Sequence, residues 1–378
     1  MSTETEAYVA RPPAPLTLEK VTYPALERHE VLVDIVAASI CHSDIRAAAG
    51  KFFLPPPLII GHEGSGYVRA IGPEVTYVKP GDAVVLAFAS CMQCRRCARA
   101  QNPYCDKLIP LNFGGQRDDG SPVVTASEKG KEVHGFFFGQ SSMARVAMVR
   151  EESCVKVGDV SREDLQKACS LGCGIQTGAG TVMNVIKPPP GSSIAIFGGG
   201  AVGMSALLAA QVTTPSCIVL IDNSQAKLDM IPKSILGPNT HLYNSGNKSN
   251  DEIAAELRRL TPDEQGMDYA LDCVGNEDVL ITGHAALDKL GTLVTIGSGA
   301  ASNVAGYSIA QHLQKGILHR GTHQGDSVPR VMIPKLLGVW RDGKFPFDEL
   351  LTKFRFEDMD KALEEMHLGK VIKPVLVV

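Results

Sequence analysis

No charge of either sign predominates in this chain. Its 37 lysines and arginines stand against 41 aspartates and glutamates, a formal net charge of −4 over 378 residues. So small a charge excludes an electrostatic footprint for nucleic acid or for an anionic membrane. A basic segment and an apolar run of the kind a secretory leader needs are lacking in Met1-Ser2-Thr3-Glu4-Thr5-Glu6, which is acidic and polar, so no such leader is expected. A cytoplasmic protein is expected. No internal repeat and no low-complexity segment occurs, which sets aside solenoid and fibrous architectures. Charge is absent altogether between Lys187 and Asp222, a stretch long enough to suggest a membrane span. Pro188-Pro189-Pro190, the triplet Gly198-Gly199-Gly200 and Pro215 argue against it, because a spanning helix needs about 20 continuous apolar helical residues.

What is present is the composition of a soluble globular protein, 44% hydrophobic and 21% charged, in a chain long enough for two domains with separate cores. The organising stretch is Ile194 to Asp222. Ile194-Ala195-Ile196-Phe197 reads as a strand that runs into Gly198-Gly199-Gly200-Ala201-Val202-Gly203. Met204 to Val212 is an Ala/Leu-rich helix former, and Cys217 to Ile221 is a second buried-strand run ending at Asp222. Glycines at 198, 200 and 203 fit a tight turn, a close backbone approach to a pyrophosphate and close packing of helix on strand. Asp222, 19 residues past Gly203, stands where a carboxylate accepts hydrogen bonds from the adenosine ribose.

Before this unit the chain reads as β-rich, with strands at 31–36, 65–71 and 82–86 and Gly/Pro turns between them. After Leu165 helices and strands alternate, with a helix at 252–260 and strands at 267–274 and 292–296, which implies a doubly wound parallel sheet. Pro232 falls inside the helix expected after Asp222 and predicts a kink there. The tail carries a helix, a Phe345-Pro346-Phe347 turn, a helix at Met359 to His367 and a final strand, assigned back to the first domain.

Ten cysteines in a cytoplasmic chain indicate metal binding or buried thiols rather than a disulfide framework. Cys91-x-x-Cys94-x-x-Cys97 followed by Cys105 puts four thiols within 15 residues. Four thiolates suit a closed tetrahedral zinc that leaves no position for substrate, and Arg95, Arg96 and Arg99 would soften its negative charge. Cys41-His42-Ser43-Asp44, Gly61-His62-Glu63-Gly64 and Cys173 are a second set of candidates. Their spacing decides little, since a lone Cys or His is more often a core residue than a ligand.

Taken together, these motifs resemble the zinc-dependent medium-chain alcohol dehydrogenases over nearly the whole chain. Within that family the chain is most similar to the aryl-alcohol (benzyl alcohol) dehydrogenases, through Gly61-His62-Glu63-Gly64-Ser65-Gly66, the run Leu171-Gly172-Cys173-Gly174-Ile175-Gln176-Thr177-Gly178-Ala179-Gly180 and Phe345-Pro346-Phe347-Asp348. The resemblance implies an α/β protein with a GroES-like β-barrel catalytic domain over residues 1–174 and 319–378, a structural zinc lobe at 91–105, and a doubly wound Rossmann NAD-binding domain over 175–318. It implies a catalytic zinc on Cys41, His62 and Cys173, with Glu63 beside it as an occasional ligand and Asp44 orienting His62 from behind. A homo-oligomer, dimer or tetramer, is expected.

Other roles implied by the resemblance are carried residue by residue. His42 and Lys373 would meet the cofactor pyrophosphate, Lys227 would join Asp222 at the adenosine ribose, and Thr177 would pack on the nicotinamide. Zinc would polarise the alcohol oxygen, hydride would pass to NAD, and Ser43 would take the alcohol proton. Many members carry a histidine five residues after the first zinc cysteine; here Arg46 stands instead, and a guanidinium cannot shuttle a proton. Alignment to the family places Ala87 on one wall of the substrate pocket and Phe137 and Phe138, read as part of a strand, on the other. An aromatic or allylic primary alcohol, or its aldehyde, is the expected substrate. The alternatives are a lyase on the same fold without net redox turnover, and a crystallin-like or regulatory binding protein, which should have lost zinc ligands that this chain keeps.

Overall fold

β-Branched residues at alternate positions make Ser193–Phe197 a strand buried along its whole length. It forms the centre of a parallel sheet because strands covered on both faces need no polar side. In the computed structural model, which describes residues 1–126, 132–300, 302–304 and 306–378, that six-stranded sheet runs in the order Thr240–Asn244, Cys217–Asp222, Ser193–Phe197, Met267–Asp272, Leu287–Thr295 and Leu318–Gly321. The edge strand Thr240–Asn244 has no apolar alternation and is only half-buried, so nothing in its sequence announces it. At the other edge, Leu318–Gly321 pairs with the Leu287–Thr295 strand; a domain boundary at 318 therefore cuts a strand, and the sheet extends to 321.

Gly198 sits at φ 102°, in the left-handed region where only glycine is unstrained. The chain turns there and enters helix Ala201–Gln211, N-capped by Gly200. A Cβ at Gly203 would lie 1.9 Å from the Gly198 carbonyl oxygen, so the first turn of this helix rests directly on the turn that precedes it. The helix after Asp222 is short, Gln225–Asp229. Pro232 does not kink it. The helix has already ended, and Pro232 leads into the 3-10 turn Lys233–Ile235, because a proline lacks the N–H and clashes with the carbonyl a turn back.

The rest of the chain forms two antiparallel-rich sheets. One orders Leu58–Ile59, Thr3–Ala10, Thr17–Tyr23, Val124–Ala126 and Glu132–Val133. The other orders Cys154–Lys156, Ala83–Leu86, Gly64–Ile71, Glu30–Ser39, Lys373–Val377 and Leu351–Arg355, with Val146–Arg150 also on Glu30–Ser39. The tail thus returns: Lys373–Val377 pairs with Glu30–Ser39. Helix Gly174–Gly180, buried throughout, joins the sheets. One hydrophobic cluster containing Val85, Leu171, Ile175, Ile194, Leu207 and Ile333 passes through it from barrel to parallel sheet. Each such side chain contributes about 1.5–3 kcal/mol on burial.

Gly203→Ala should cost about 1–3 kcal/mol, the usual range for overpacking. At Gly200 an added Cβ meets nothing within 4 Å, and Gly200→Ala should stay within about 0.5 kcal/mol of the parent. Thermal unfolding of both variants checks this; equal losses would contradict the packing role of Gly203.

Candidate active site and metal centres

The site is assembled around Asp44, which is 0% exposed. It lies in the first turn of helix His42–Ala48, whose N-cap is Cys41. Its Oδ2 accepts the Cys41 amide at 2.9 Å, and its Oδ1 accepts the Gly61 amide at 3.0 Å and His62 Nδ1–H at 2.9 Å. A proton held on Nδ1 leaves Nε2 as a lone pair. That atom is buried and has no protein partner. Burial opposes protonation of His62, yet Asp44 and Cys41 hold its pKa well above the ordinary value; a metal on Nε2 would take the place of the proton that nitrogen otherwise gains.

Cys41, His62, Glu63 and Cys173 present ligand atoms all within 4.8 Å of one another. Cys173 N-caps helix Gly174–Gly180. The hydrogen bond from Cys173 draws the Cys41 thiol well below its ordinary pKa, against burial and with help from Lys373 and His62; as the donor, Cys173 is pushed well above its own. Glu63 is engaged elsewhere. Its Oε1 accepts the Gly174 amide at 3.1 Å, and its Oε2 is held by Ser39 Oγ and Lys373 Nζ. Two thiols, one orphaned imidazole nitrogen and a carboxylate held back by a lysine fit a zinc with three protein ligands and an open position.

Lys373 corrects an expectation. It does not face outward toward a pyrophosphate: it is 2% exposed, bonded to Glu63 and, at 3.1 Å, to the Ile40 carbonyl. Glu63 without it would be a buried unpaired charge, a condition that costs several kcal/mol.

The second cluster, Cys91, Cys94, Cys97 and Cys105, also gathers its sulfurs within 4.8 Å. Backbone amides point at them, from Cys91 and Lys107 to Cys105 Sγ at 3.3 and 3.4 Å and from Cys94 to Cys91 Sγ at 3.4 Å. Amide donors of this kind, from Cys97 and Asp106, lower Cys94 to about 6. An all-thiolate donor set with amide support matches a closed tetrahedral zinc.

Residues 136–138 are not a strand. Phe136 and Phe138 have φ 52° and 54°, and Phe137–Gly139 is a 3-10 turn. The turn sends Phe136 into a separate core cluster and brings the other two rings to His62. Phe138 stacks on the imidazole at 4.4 Å and Phe137 meets it edge-on at 5.6 Å. Phe52 and Phe113, which the sequence did not single out, extend this aromatic wall: Phe113 lies 4.9 Å from Phe138 and Phe52 5.6 Å from Phe137. Ala87 does not oppose them. It packs in the Leu171–Ile175 cluster, while its neighbour Phe88 joins the cluster of Phe137 and Phe138; successive residues of an extended segment face opposite ways. Gln140, also missed, donates to the His62 and Ala87 carbonyls at 2.9 and 3.3 Å.

Toward the parallel sheet, buried Asp222 accepts the Gly199 amide at 2.8 Å and the Ser224 amide at 2.9 Å, which fixes its carboxylate beside the glycine turn. Lys227 is exposed nearby. On helix His42–Ala48, His42 is exposed and Ser43 half-buried. Arg46 reaches across to Ser298, with Nη1 at 3.3 Å from its carbonyl and 3.2 Å from its hydroxyl. Thr177 Oγ1 lies 2.8 Å from the Cys173 carbonyl and 3.3 Å from Gln324 Oε1, and Gln324 Nε2 stands 3.7 Å from Cys173 Sγ. Gln324 lies in a turn with no motif to mark it.

Residues 27–159 match the family described as alcohol dehydrogenase GroES-like domain, and residues 201–338 that described as zinc-binding dehydrogenase. A geraniol dehydrogenase from Castellaniella defragrans is 38% identical over 368 residues, 96% of this chain and 94% of that one. The chain belongs to the zinc-dependent alcohol dehydrogenases. Among solved structures, an alcohol dehydrogenase zinc-binding domain protein from Burkholderia ambifaria is similar at a TM-score of 0.93 and 36% identity, covering 100% of both chains. Benzyl alcohol dehydrogenase from Acinetobacter calcoaceticus follows at 0.91 and 34%, covering 100% of this chain and 99% of that one. Membership makes the protein an NAD-using oxidoreductase of alcohols, and its two cysteine-containing clusters are compatible with two zinc ions. Among the described residues no helix is long and apolar enough to cross a membrane.

Two zincs with separable roles should follow. Cys94→Ser should lower the melting temperature and leave one zinc per chain, whereas Cys173→Ser should abolish turnover with the melting temperature nearly kept. Metal analysis finding a single zinc in the unaltered protein would overturn this.

Proposed function

We propose that the protein oxidises aromatic or allylic primary alcohols with NAD, or reduces their aldehydes, as an aryl-alcohol type dehydrogenase. The observation that carries this reading is Phe138 stacked on His62 within a wall of four phenyl rings, Phe52, Phe113, Phe137 and Phe138. A flat conjugated substrate matches such a wall, and aromatic pairs add about 0.5–1.5 kcal/mol beyond burial. The similarity to a benzyl alcohol dehydrogenase and to a geraniol dehydrogenase supports both halves of the substrate class.

Zinc held by Cys41, His62 and Cys173 would supply Lewis-acid polarisation of the alcohol oxygen, and NAD would accept the hydride. The chain does the rest. Asp44 keeps the His62 proton on Nδ1 and so keeps Nε2 available. Lys373 restrains Glu63 and leaves the fourth position to substrate. Ser43, in the first turn of the helix capped by Cys41, takes the hydroxyl proton. The phenyl wall excludes water and orients the ring. Asp222 would receive the adenosine ribose with Lys227 alongside, Gly198, Gly200 and Gly203 would shape the pyrophosphate turn, His42 would contact the pyrophosphate, and Thr177 would support the nicotinamide. Arg46, always charged, ties its helix to Ser298 and takes no part in proton transfer; Ser43 would pass the proton on toward solvent.

The same reading includes a homo-oligomer in the cytoplasm. Helix Ile309–Lys315 at the sheet edge has no buried residue, with Ile309 86% and Leu313 80% exposed, which supports a second copy covering it. All ten cysteines are unpaired, which suits a reducing compartment.

Benzyl and cinnamyl alcohols should be used at least about tenfold more efficiently than ethanol, and Phe138→Ala should remove most of that preference, in line with the upper end of aromatic pair energies. Steady-state kcat/KM for the three alcohols on both proteins decides it, and equal use of ethanol would sink the substrate class. NAD should be preferred to NADP, because a 2′-phosphate would bring negative charge against Asp222 and no arginine occurs in Asn223-Ser224-Gln225 to receive it. Equal efficiency with the two cofactors would show that Lys227 outweighs Asp222.

A further inference from the structure

Gln324, Gly325 and Asp326 follow one another at φ 53°, 60° and 49°. Three successive left-handed residues, two of them with side chains, are disfavoured for L-amino acids and persist only where surrounding structure over-determines them. One side of this turn is held from within the active-site region. Asn184 Nδ2 donates to the Gly325 carbonyl at 3.0 Å, and a Cβ at Gly325 would lie 2.4 Å from the Thr177 carbonyl oxygen. The other side is held by a distant part of the chain, the four-cysteine lobe.

That second hold is a connected network. Tyr104 OH donates to Asp326 Oδ1 at 2.7 Å and accepts the His323 amide at 3.3 Å. His323 Nδ1–H donates to the Pro103 carbonyl at 3.1 Å. Asp326 Oδ1 also takes Thr322 Oγ1–H at 2.7 Å, and its Oδ2 takes Arg320 at 2.8 Å. Pro103 and Tyr104 lie in the 3-10 turn Asn102–Tyr104, immediately before Cys105, and Asn102 pins that turn by donating to Ser90 Oγ at 2.7 Å. The result of the hold is the placement of Gln324, 3.7 Å from Cys173 Sγ and 3.3 Å from Thr177 Oγ1.

We propose that Tyr104 and Asp326 are positioning residues, through which the four-cysteine lobe acts as a strut that keeps the 324–326 turn left-handed and sets Gln324 against Cys173. The lobe then serves turnover as well as stability. The proposal rests on the reading of Cys173 as a ligand of the catalytic zinc. Gln324 Nε2–H is aimed at that sulfur, and a hydrogen bond on a thiolate ligand tunes how strongly it donates to its metal. Misplacement of such a group by about 1 Å is enough to cost as much as 100-fold in rate.

The test uses the full-length protein with both metal sites loaded. Tyr104→Phe removes one hydroxyl and keeps the ring, so kcat should fall about tenfold, toward the lower part of what such misplacement costs. The alcohol KM should change less than about twofold, while two metals per chain and the melting temperature are retained. Asp326→Asn keeps an oxygen for Tyr104 and Thr322 and should recover most of the rate. With cobalt(II) in place of the catalytic zinc, the thiolate-to-metal absorption should shift in Tyr104→Phe as it does in Gln324→Ala. An unshifted band with unchanged kcat overturns the strut, as does a fall in kcat that only follows loss of metal or of melting temperature. Absence of any thiolate band in the unaltered cobalt protein is a different result: it removes the Cys173 reading itself and the proposal with it.

Discussion

The carboxylate of Asp44 is the constraint on which the site depends. Among the described residues it has no lysine or arginine partner and is met by two backbone amides and one imidazole N–H. Those three donors belong to the N-cap of one helix and to the glycine-flanked segment carrying His62, so a single group fixes the distance between two metal-ligating stretches that are far apart in the chain. Hydrogen bonds to a charged acceptor are stronger than neutral ones, and leaving any of the three donors unsatisfied in the interior would be expensive. The geometry of Cys41 relative to His62 is therefore a property of the barrel's backbone as much as of the metal.

A second buried charge pair completes the centre from the opposite direction. Glu63 and Lys373 meet where burial raises the carboxyl pKa and the lysine only partly offsets that rise, and their side chains are in direct contact. A buried ion pair of this kind is weak support for stability but strong support for position. It would withhold a potential fourth ligand from a metal on Cys41, His62 and Cys173, whereas a metal in the four-cysteine lobe would have all four positions taken by sulfur. The same metal can be chemically idle in one place and reactive in the other because of that difference in open coordination.

Much of this was legible in the sequence where local pattern carries the information. The glycine turn between Ile194 and Asp222 and the four cysteines within 91–105 act through neighbours in the chain, so spacing alone revealed them. Cys41, His62 and Cys173 converge only through tertiary structure, and it took resemblance to a family to group them. What stayed hidden was set by backbone geometry that no residue type announces. The left-handed turn of Phe136–Phe138 read as a strand because three aromatics in a row fit one equally well. The resemblance assigns Lys373 to the cofactor pyrophosphate, whereas its partner Glu63 lies in a distant part of the chain, just before the strand Gly64–Ile71. Ala87 and its neighbour Phe88 fall in different clusters by the alternation of one residue, and the polar edge strand Thr240–Asn244 had no periodicity to detect.

The return of the tail has a consequence for the order in which the molecule is made. Lys373 bonds to the carbonyl of Ile40 from 333 positions away, and the strand it begins is hydrogen-bonded to the strand preceding Cys41. During synthesis the parallel sheet, whose strands all end by Gly321, has left the ribosome before that last strand exists. Domains fold as units as they emerge, so the nucleotide-binding half matures first while the barrel waits half-built, with Glu63 still lacking its counter-charge. Capture of a metal at Cys41, His62 and Cys173 would then fall among the final events of biogenesis, since the site gathers around that last pairing.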